Sequence, residues 1–201
     1  YFDGGDDTDT IDYSGSSEGV YARLSHGWKV TMAEKAANGW TDLVDGIAND
    51  TIDHDEFQNV ENLVGSDYVD NLVGDNQANA IYGGGSNDYI SGLGGDDEIY
   101  GEEGNDLLVG GAGADTVNGG AGDDRIRWSY GDGEDQIDGG SEDTADTLQI
   151  YSTAAGQEFT LDAPGDNGDG FTLTANGETV DVDDIEEIEV DFTAGSGTLN
   201  V

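Results

Sequence analysis

The sequence predicts an all-β protein built as a parallel β-roll, a solenoid with two nine-residue repeats per turn and irregular or β caps at both ends. Three observations carry that prediction. Glycine recurs at 65, 74, 83, 92, 101, 110 and 119, seven times at intervals of nine. Counting each of these glycines as position one, position six is Asp70, Asn79, Asp88, Asp97, Asp106, Asp115 and Asp124. Position eight is Leu72, Ile81, Ile90, Ile99, Leu108, Val117 and Ile126. With 34 glycines in 201 residues, seven in one register arise by chance about four times in a million, so the period reflects the fold.

Each repeat divides into two halves with different physics. Positions one to six are rich in Gly, Asn and Asp, which tolerate the left-handed and turn conformations that other side chains resist. Positions seven to nine, as in Tyr89-Ile90-Ser91, alternate polar, apolar, polar, the pattern of a short strand with one buried face. One such unit buries nothing alone. Two units make a coil with a strand on each side, and coils stacked about 4.8 Å apart pair their strands in parallel ladders. The position-eight side chains then meet inside as a thin apolar layer.

Charge sets the chemistry. The chain carries 46 acidic and 5 basic residues, a net charge of −41, with 34% apolar residues. Low hydrophobicity with high net charge is the signature of a disordered chain, so a folded state requires something that neutralises carboxylates. Five basic residues do not replace the counterions of nucleic acid, and the charge opposes anionic membrane surfaces. No apolar run approaches the roughly 20 residues of a membrane span. Neither nucleic acid nor a membrane span is therefore expected. The absence of cysteine excludes disulfides and zinc–thiolate sites.

Stacking aligns position six of alternate repeats: Asp70, Asp88, Asp106 and Asp124 along one side, Asn79, Asp97 and Asp115 along the other. Carboxylates repeated every ~5 Å repel strongly, and the stack is favourable only with a hard dication between neighbours. Calcium takes six to eight oxygen ligands and accepts backbone carbonyls, whereas magnesium demands stricter octahedral geometry and zinc prefers nitrogen or sulfur. Calcium is the expected ion. Asp and Asn also serve simply as turn formers, but turn chemistry alone does not call for an acid at one position in six of seven repeats.

The consensus Gly-Gly-x-Gly-x-Asp-x-apolar-x resembles the RTX family of hemolysin-type calcium-binding repeats. Residues 110–118 and 119–127 match it in full, and the likeness covers about 65–148. It implies a calcium-binding β-roll secreted without a cleaved N-terminal signal, bacterial type I secretion, and folding on reaching external calcium. It also implies an ion between loops two repeats apart. The earlier loop gives carbonyls from positions two and four plus its Asp; the later gives carbonyls from one and three plus its Asp. One ion then lies among Gly84, Ser86, Asp88, Gly101, Glu103 and Asp106, and a second among Glu102, Gly104, Asp106, Gly119, Ala121 and Asp124. Opposite, a third lies among Leu93, Gly95, Asp97, Gly110, Ala112 and Asp115. Gly83, Gly85, Gly92, Gly94, Gly111 and Gly113 complete the loops, and the expected load is about six ions, roughly four to eight.

Departures from the pattern mark particular sites. Asn79 removes one charge from the ion shared with Asp97, and Ser66-Asp67-Tyr68 lacks the loop glycines beside Asp70. After Arg127 the period restarts two residues late at Tyr130, so Asp115 and Asp135 share an ion if Trp128-Ser129 bulge outward. In the stretched segment 139–146, either Asp143 or Asp146 points inward.

Three domains are expected: 1–56, an N-terminal cap; 57–148, the calcium-binding roll; 149–201, a C-terminal β cap. In the first, residues 4–12 form one more repeat-like unit and 13–56 an insertion covering the open end. That insertion holds a strand at Val20, Ala22 and Leu24 and a helical turn at 32–37. The N-terminal residues show neither an initiator methionine nor a signal pattern, and the chain reads as a piece of something longer. In the last domain, strands are expected around 148–150, 159–161, 171–173 and 180–182, and 185–190 resembles the lead-in at 60–64.

No enzyme emerges. Gly15-Ser16-Ser17-Glu18-Gly19 fits the nucleophile-elbow pattern but lacks the α/β sheet that motif needs. His26 and His54 are not in metal-ligand spacing, and 166–170 lacks the first and last ligands of an EF-hand. Two readings remain. The favoured one is a non-catalytic calcium-dependent folding module of a larger secreted protein, extracellular or at the cell surface, with neighbouring domains of its parent as partners. The other is an adhesion module binding polysaccharide or a surface, which predicts an exposed aromatic row, with Tyr82, Tyr89 and Tyr100 as candidates. Ice binding predicts a regular threonine array, and loop positions three to five hold none from 85 to 123.

Overall fold

A computed structural model describes residues 2–3, 8–24, 57–140, 145–152, 158–162, 170–175, 177–192 and 198–200. The strands form a parallel roll of two large sheets, with a small parallel pair of Phe2–Asp3 and Phe57–Gln58 beside them, and no helix occurs among the described residues. The helical turn expected at 32–37, both histidines, Asp143 and residues 166–169 lie outside them.

The seven-stranded sheet contains, in spatial order, Tyr21–Arg23, Asn71–Val73, Tyr89–Gly94, Leu107–Ala112, Arg125–Ser129, Thr147–Ser152 and Glu187–Phe192. The ten-stranded sheet runs through Thr10–Asp12, Asn62–Val64, Ala80–Gly85, Glu98–Glu103, Thr116–Ala121, Gln136–Asp138 and Glu178–Asp183. All of these neighbours pair in parallel. Residues Phe171–Ala175 and Glu158–Asp162 then extend the second sheet antiparallel, followed by Thr198–Asn200 in parallel. Strand pairing thus continues past 57–148 on both sides: Thr10–Asp12 and Tyr21–Arg23 are rungs, and so are Glu178–Asp183 and Glu187–Phe192.

The register puts position eight of every repeat in one of two inner columns. One runs Ala22, Leu72, Ile90, Leu108, Ile126, Leu148, Ile188; the other runs Ile11, Leu63, Ile81, Ile99, Val117, Ile137, Val182. All but Ile188 are buried. Short strands suffice because each coil needs to hide only one side chain per sheet, and identical neighbours above and below complete its packing.

Trp128-Ser129 do not bulge outward. They continue their strand, Arg125–Ser129, and Trp128 stacks in register with Ile150, which in turn faces Val190. Trp128 is buried. Hiding so large a ring stabilises the coil more than an outward loop would, so the extra residues widen the core at this end of the roll.

Replacing Ile90 by Ala removes a fully buried side chain with like neighbours on both sides. The expected loss is about 2–4 kcal/mol of unfolding free energy, measured by denaturant titration of the calcium-loaded chain. A cost below about 1 kcal/mol would contradict the packed column.

Candidate metal centre

The turns between the sheets hold a ladder of buried aspartates. In each coil the position-six backbone N–H donates to the carboxylate one coil further on. Asp70 N–H binds Asp88 Oδ1 (2.7 Å), Asp88 N–H binds Asp106 Oδ1 (2.7 Å) and Asp106 N–H binds Asp124 Oδ1 (2.7 Å). On the opposite side, Asn79 N–H binds Asp97 Oδ1 (2.8 Å), Asp97 N–H binds Asp115 Oδ1 (2.9 Å), and Asp115 N–H binds Asp135 Oδ1 (2.9 Å). The structure therefore brings together Asp70, Asp88, Asp106 and Asp124 in one column and Asn79, Asp97, Asp115 and Asp135 in the other. All eight are buried.

The second carboxylate oxygen is the anomaly. Oδ2 of Asp88, Asp97, Asp106 and Asp115 is buried and accepts no hydrogen bond. A buried charged oxygen without a partner is costly. Each such oxygen lies instead beside the position-one glycine of its own repeat, where the position-one carbonyl of the next coil also points. A methyl at Gly83 would stand 2.5 Å from Gly101 O and 2.7 Å from Asp88 Oδ2. The same pair of oxygens closes on Gly92 (Asp97 and Gly110) and on Gly101 (Asp106 and Gly119).

Left-handed backbone at positions two and four aims the remaining carbonyls. Position two has φ between +75° and +108° at Gly84, Leu93, Glu102, Gly111 and Gly120. Position four is likewise left-handed at Ser86, Gly95, Gly104, Gly113 and Gly122. The carbonyls of Leu93 and Glu102 face Gly111 and Gly120 one coil on, and those of Ser86 and Gly95 face Gly104 and Gly113. In the reverse direction, position-three carbonyls Ala112 O and Ala121 O accept from Gly95 N–H (2.9 Å) and Gly104 N–H (2.7 Å). Gly85 and Gly94, the position-three residues of two other loops, donate to Ser66 O (2.9 Å) and Asp75 O (3.1 Å). The gap between coils is thus lined with oxygen from both sides. Among the described residues no three His, Cys, Asp or Glu side chains converge on one point, and the oxygens that line the gap are backbone carbonyls beside single carboxylates. Many oxygens with few charges in irregular geometry is a donor set suited to calcium.

The two ends are built differently. Asp70 accepts Val20 N–H (2.6 Å) on Oδ1, and Ser66 N–H (2.5 Å) and hydroxyl (3.1 Å) on Oδ2. The loop without glycines therefore satisfies its own carboxylate. Asn79 Oδ1 accepts Asp75 N–H (2.8 Å). In the stretched segment it is Asp146 that takes the ladder place: it is fully buried, and Asp124 N–H donates to its Oδ1 (2.7 Å). The restarted repeat also conforms, with left-handed Gly131 and Gly133 at positions two and four.

Two ladder residues escape sequence reasoning. Glu61 Oε2 accepts Asp9 N–H (2.9 Å), and Glu186 Oε2 accepts Asp146 N–H (2.9 Å). In each case three residues stand between the position-nine residue of one strand and the position-seven residue of the next, where a full repeat has six, and the turn opens with a left-handed Asn59 (φ 53°) or Asp184 (φ 47°). The longer glutamate reaches across the shortened turn to the N–H that aspartate serves elsewhere. The signal was present in the likeness of 185–190 to 60–64, but its meaning required the register.

Other candidates fall away among the described residues. Ser16 Oγ donates to Glu18 O (2.6 Å) in a turn between two roll strands, with no helix following. Tyr82 and Tyr100 stack on each other, centroids 5.1 Å apart and planes 5° apart, on the outer face of the ten-stranded sheet. Tyr89 belongs to the other sheet, so the three do not form one aromatic row. Among the described residues no helix is long and apolar enough to cross a membrane.

Electrostatics follow from burial. Desolvation, reinforced by Asp106, Asp70 and Glu102, pushes Asp88 up to about 8. Burial raises Asp97 and Asp135 to about 7, and Asp106 and Asp115 to about 6, from an ordinary value of 3.8. Without a cation the folded roll therefore binds more protons than the unfolded chain between about pH 4 and 8. Its stability is present below the unfolded value and is lost as pH rises through the folded ones. In EDTA the β circular-dichroism signal is expected to be stronger at pH 5 than at pH 8. At pH 5, where the metal-free roll persists with these carboxyls protonated, calcium is expected to release protons, measurable in a pH-stat. Equal signals at the two pH values with no proton release would refute the buried ladder.

A family model for the RTX calcium-binding nonapeptide repeat matches residues 64–99 and 91–126, in four copies. The chain matches no curated protein. The nine-residue period, the left-handed loops and the aspartate ladder over this stretch all have the form that match requires, and residues 64–126 are RTX calcium-binding nonapeptide repeats.

Proposed function

We propose that this chain is a non-catalytic, calcium-dependent folding module of a larger secreted protein, disordered without calcium and folded outside the cell. The observation that carries the proposal is the set of buried, unpartnered Oδ2 atoms on Asp88, Asp97, Asp106 and Asp115. The residues that would hold ions are those aspartates with Asp124 and Asp135, together with the carbonyls of the loops 83–86, 92–95, 101–104, 110–113 and 119–121. Calcium there supplies charge neutralisation and a shared coordination centre between coils.

Binding is then folding energy. The four sites between these aspartates (88/106, 106/124, 97/115 and 115/135), each with calcium tenfold above its dissociation constant, contribute about 6 kcal/mol by mass action. That matches the whole stability of an ordinary domain. The ion supply makes the switch. Where calcium is scarce, mutual repulsion of the carboxylates and the small core leave the chain unfolded, which suits passage through an export channel; external calcium closes the roll.

The test is far-UV circular dichroism and hydrodynamic radius during a calcium titration from EDTA. A cooperative collapse near 0.1–1 mM calcium is expected, with none in magnesium. A chain already fully folded in EDTA at pH 8 would overturn the switch. Asp106 lies between two proposed ions, so Asp106→Ala is expected to raise the calcium midpoint by about tenfold or more. An unchanged midpoint would remove Asp106 from the ligand set.

A further inference from the structure

We infer that the outer face of the seven-stranded sheet is an interface between two copies of this chain, related by a two-fold axis along the central strand, Leu107–Ala112. Nearly a quarter of the residues are acidic, yet the outward positions of this sheet from Asn71 to Tyr151 contain none. They read Asn71 and Val73, Tyr89 and Ser91, Leu107 and Val109, Arg125 and Arg127, Thr147 and Gln149 across five successive rungs. The outer face of the ten-stranded sheet, by contrast, carries Glu98 and Asp138 over the corresponding rungs and Asp12, Asp181 and Asp183 on the rungs that flank them. A chain of charge −41 approaching its copy meets carboxylates there, whereas the acid-free face lets two copies meet without that repulsion.

The sequence of rungs is self-complementary under one arrangement. There are seven rungs, with Leu107 and Val109 on the middle one. Reversing the stacking direction lays each rung on its counterpart counted from the other end. The apolar middle rung falls on itself. Tyr89 then faces Arg125, a cation–π pairing of the kind already present where Arg127 lies 4.9 Å over the Tyr151 ring. At the ends, exposed Arg23 faces the acidic last rung of Glu187, Glu189 and Asp191. The alternative, with stacking directions parallel, sets acids on acids and arginines on arginines. An interface of this kind uses the same patch on both partners.

Its size sets its strength. Seven rungs about 4.8 Å apart and three to five residues wide cover roughly 300–500 Å² per copy, under the ~800 Å² per partner of standard stable complexes. Association is therefore weak, with half-assembly expected below about 1 mM chain. It gains weight where copies are tethered or crowded together.

The experiment is sedimentation equilibrium of the full chain in saturating calcium from ~10 µM to ~1 mM, with circular dichroism confirming the fold of every sample. Rising mass toward a dimer is expected. Leu107→Glu sets a carboxylate against its own copy on the axis and is expected to weaken association at least tenfold. Arg23→Glu is expected to weaken it, and Arg23→Glu combined with Glu189→Arg to restore it. A folded wild type that stays monomeric at ~1 mM, or a dimer indifferent to all three variants, overturns the inference. A chain that fails to fold in calcium overturns the module reading instead, and circular dichroism separates the two outcomes.

Discussion

Everything in this molecule depends on burying a carboxylate in every turn. The hydrogen bond from one position-six N–H to the next aspartate fixes the spacing of coils, and the glycine beside it leaves room for the carboxylate to lie inward. That arrangement forces the rest. One oxygen of each aspartate is spent on the backbone, the other is left buried and charged, and raised proton affinities record the cost. The apolar columns are too thin to pay it: each coil contributes one hidden aliphatic side chain per sheet, worth about 1.5–3 kcal/mol. On the proposed function, positive charge entering the gap between coils closes the fold, and this would couple architecture to ion supply.

The loops show what stays constant from repeat to repeat under that demand. Left-handed backbone at positions two and four persists at three places in the loops 83–104 where glycine is missing, but not at Ser66, Tyr68, Asp75 or Gln77 in the first two repeats. Ser86, Leu93 and Glu102 adopt φ of 73°, 78° and 75°, at about 1–2 kcal/mol each. Carbonyl direction, rather than side-chain identity, is what these positions preserve. Leu93 illustrates the trade: its side chain is among the few large apolar groups left exposed, so it gains little from packing, while its carbonyl faces the next coil.

Legibility in the sequence tracked repetition. The nine-residue period exposed the strands, the two inner columns and the alternating aspartates, because each is a property of stacking identical units. What it did not expose are the places where the unit changes length. Choosing Asp146 over Asp143 needed the register of Thr147–Ser152, since an insertion in the turn destroys the count that identifies position six. Trp128 was misplaced because two extra residues can leave a strand or lengthen it, and the deciding partners, Ile150 and Val190, lie 22 and 62 residues away. Glu61 and Glu186 were invisible as ladder members because three-residue deletions moved them out of phase.

Those two glutamates complete the logic of the stack. A column of carboxylates needing cations must stop somewhere, and a terminal coil with a full loop would present half a site to solvent. Shortening the turn removes the loop carbonyls together with the need for an ion, and the longer side chain keeps the hydrogen bond that holds the coil. Asp70 reaches a similar end by other means, with Ser66 and Val20 saturating both of its oxygens. On the proposed function, the ion-holding middle is thereby bracketed by rungs whose carboxylates the protein itself partners. In a quasi-one-dimensional stack, where each unit contacts only its neighbours, such rungs would give the first ion an ordered surface to build on, and the cooperativity of the proposed switch would arise at the ends as much as in the ion sites.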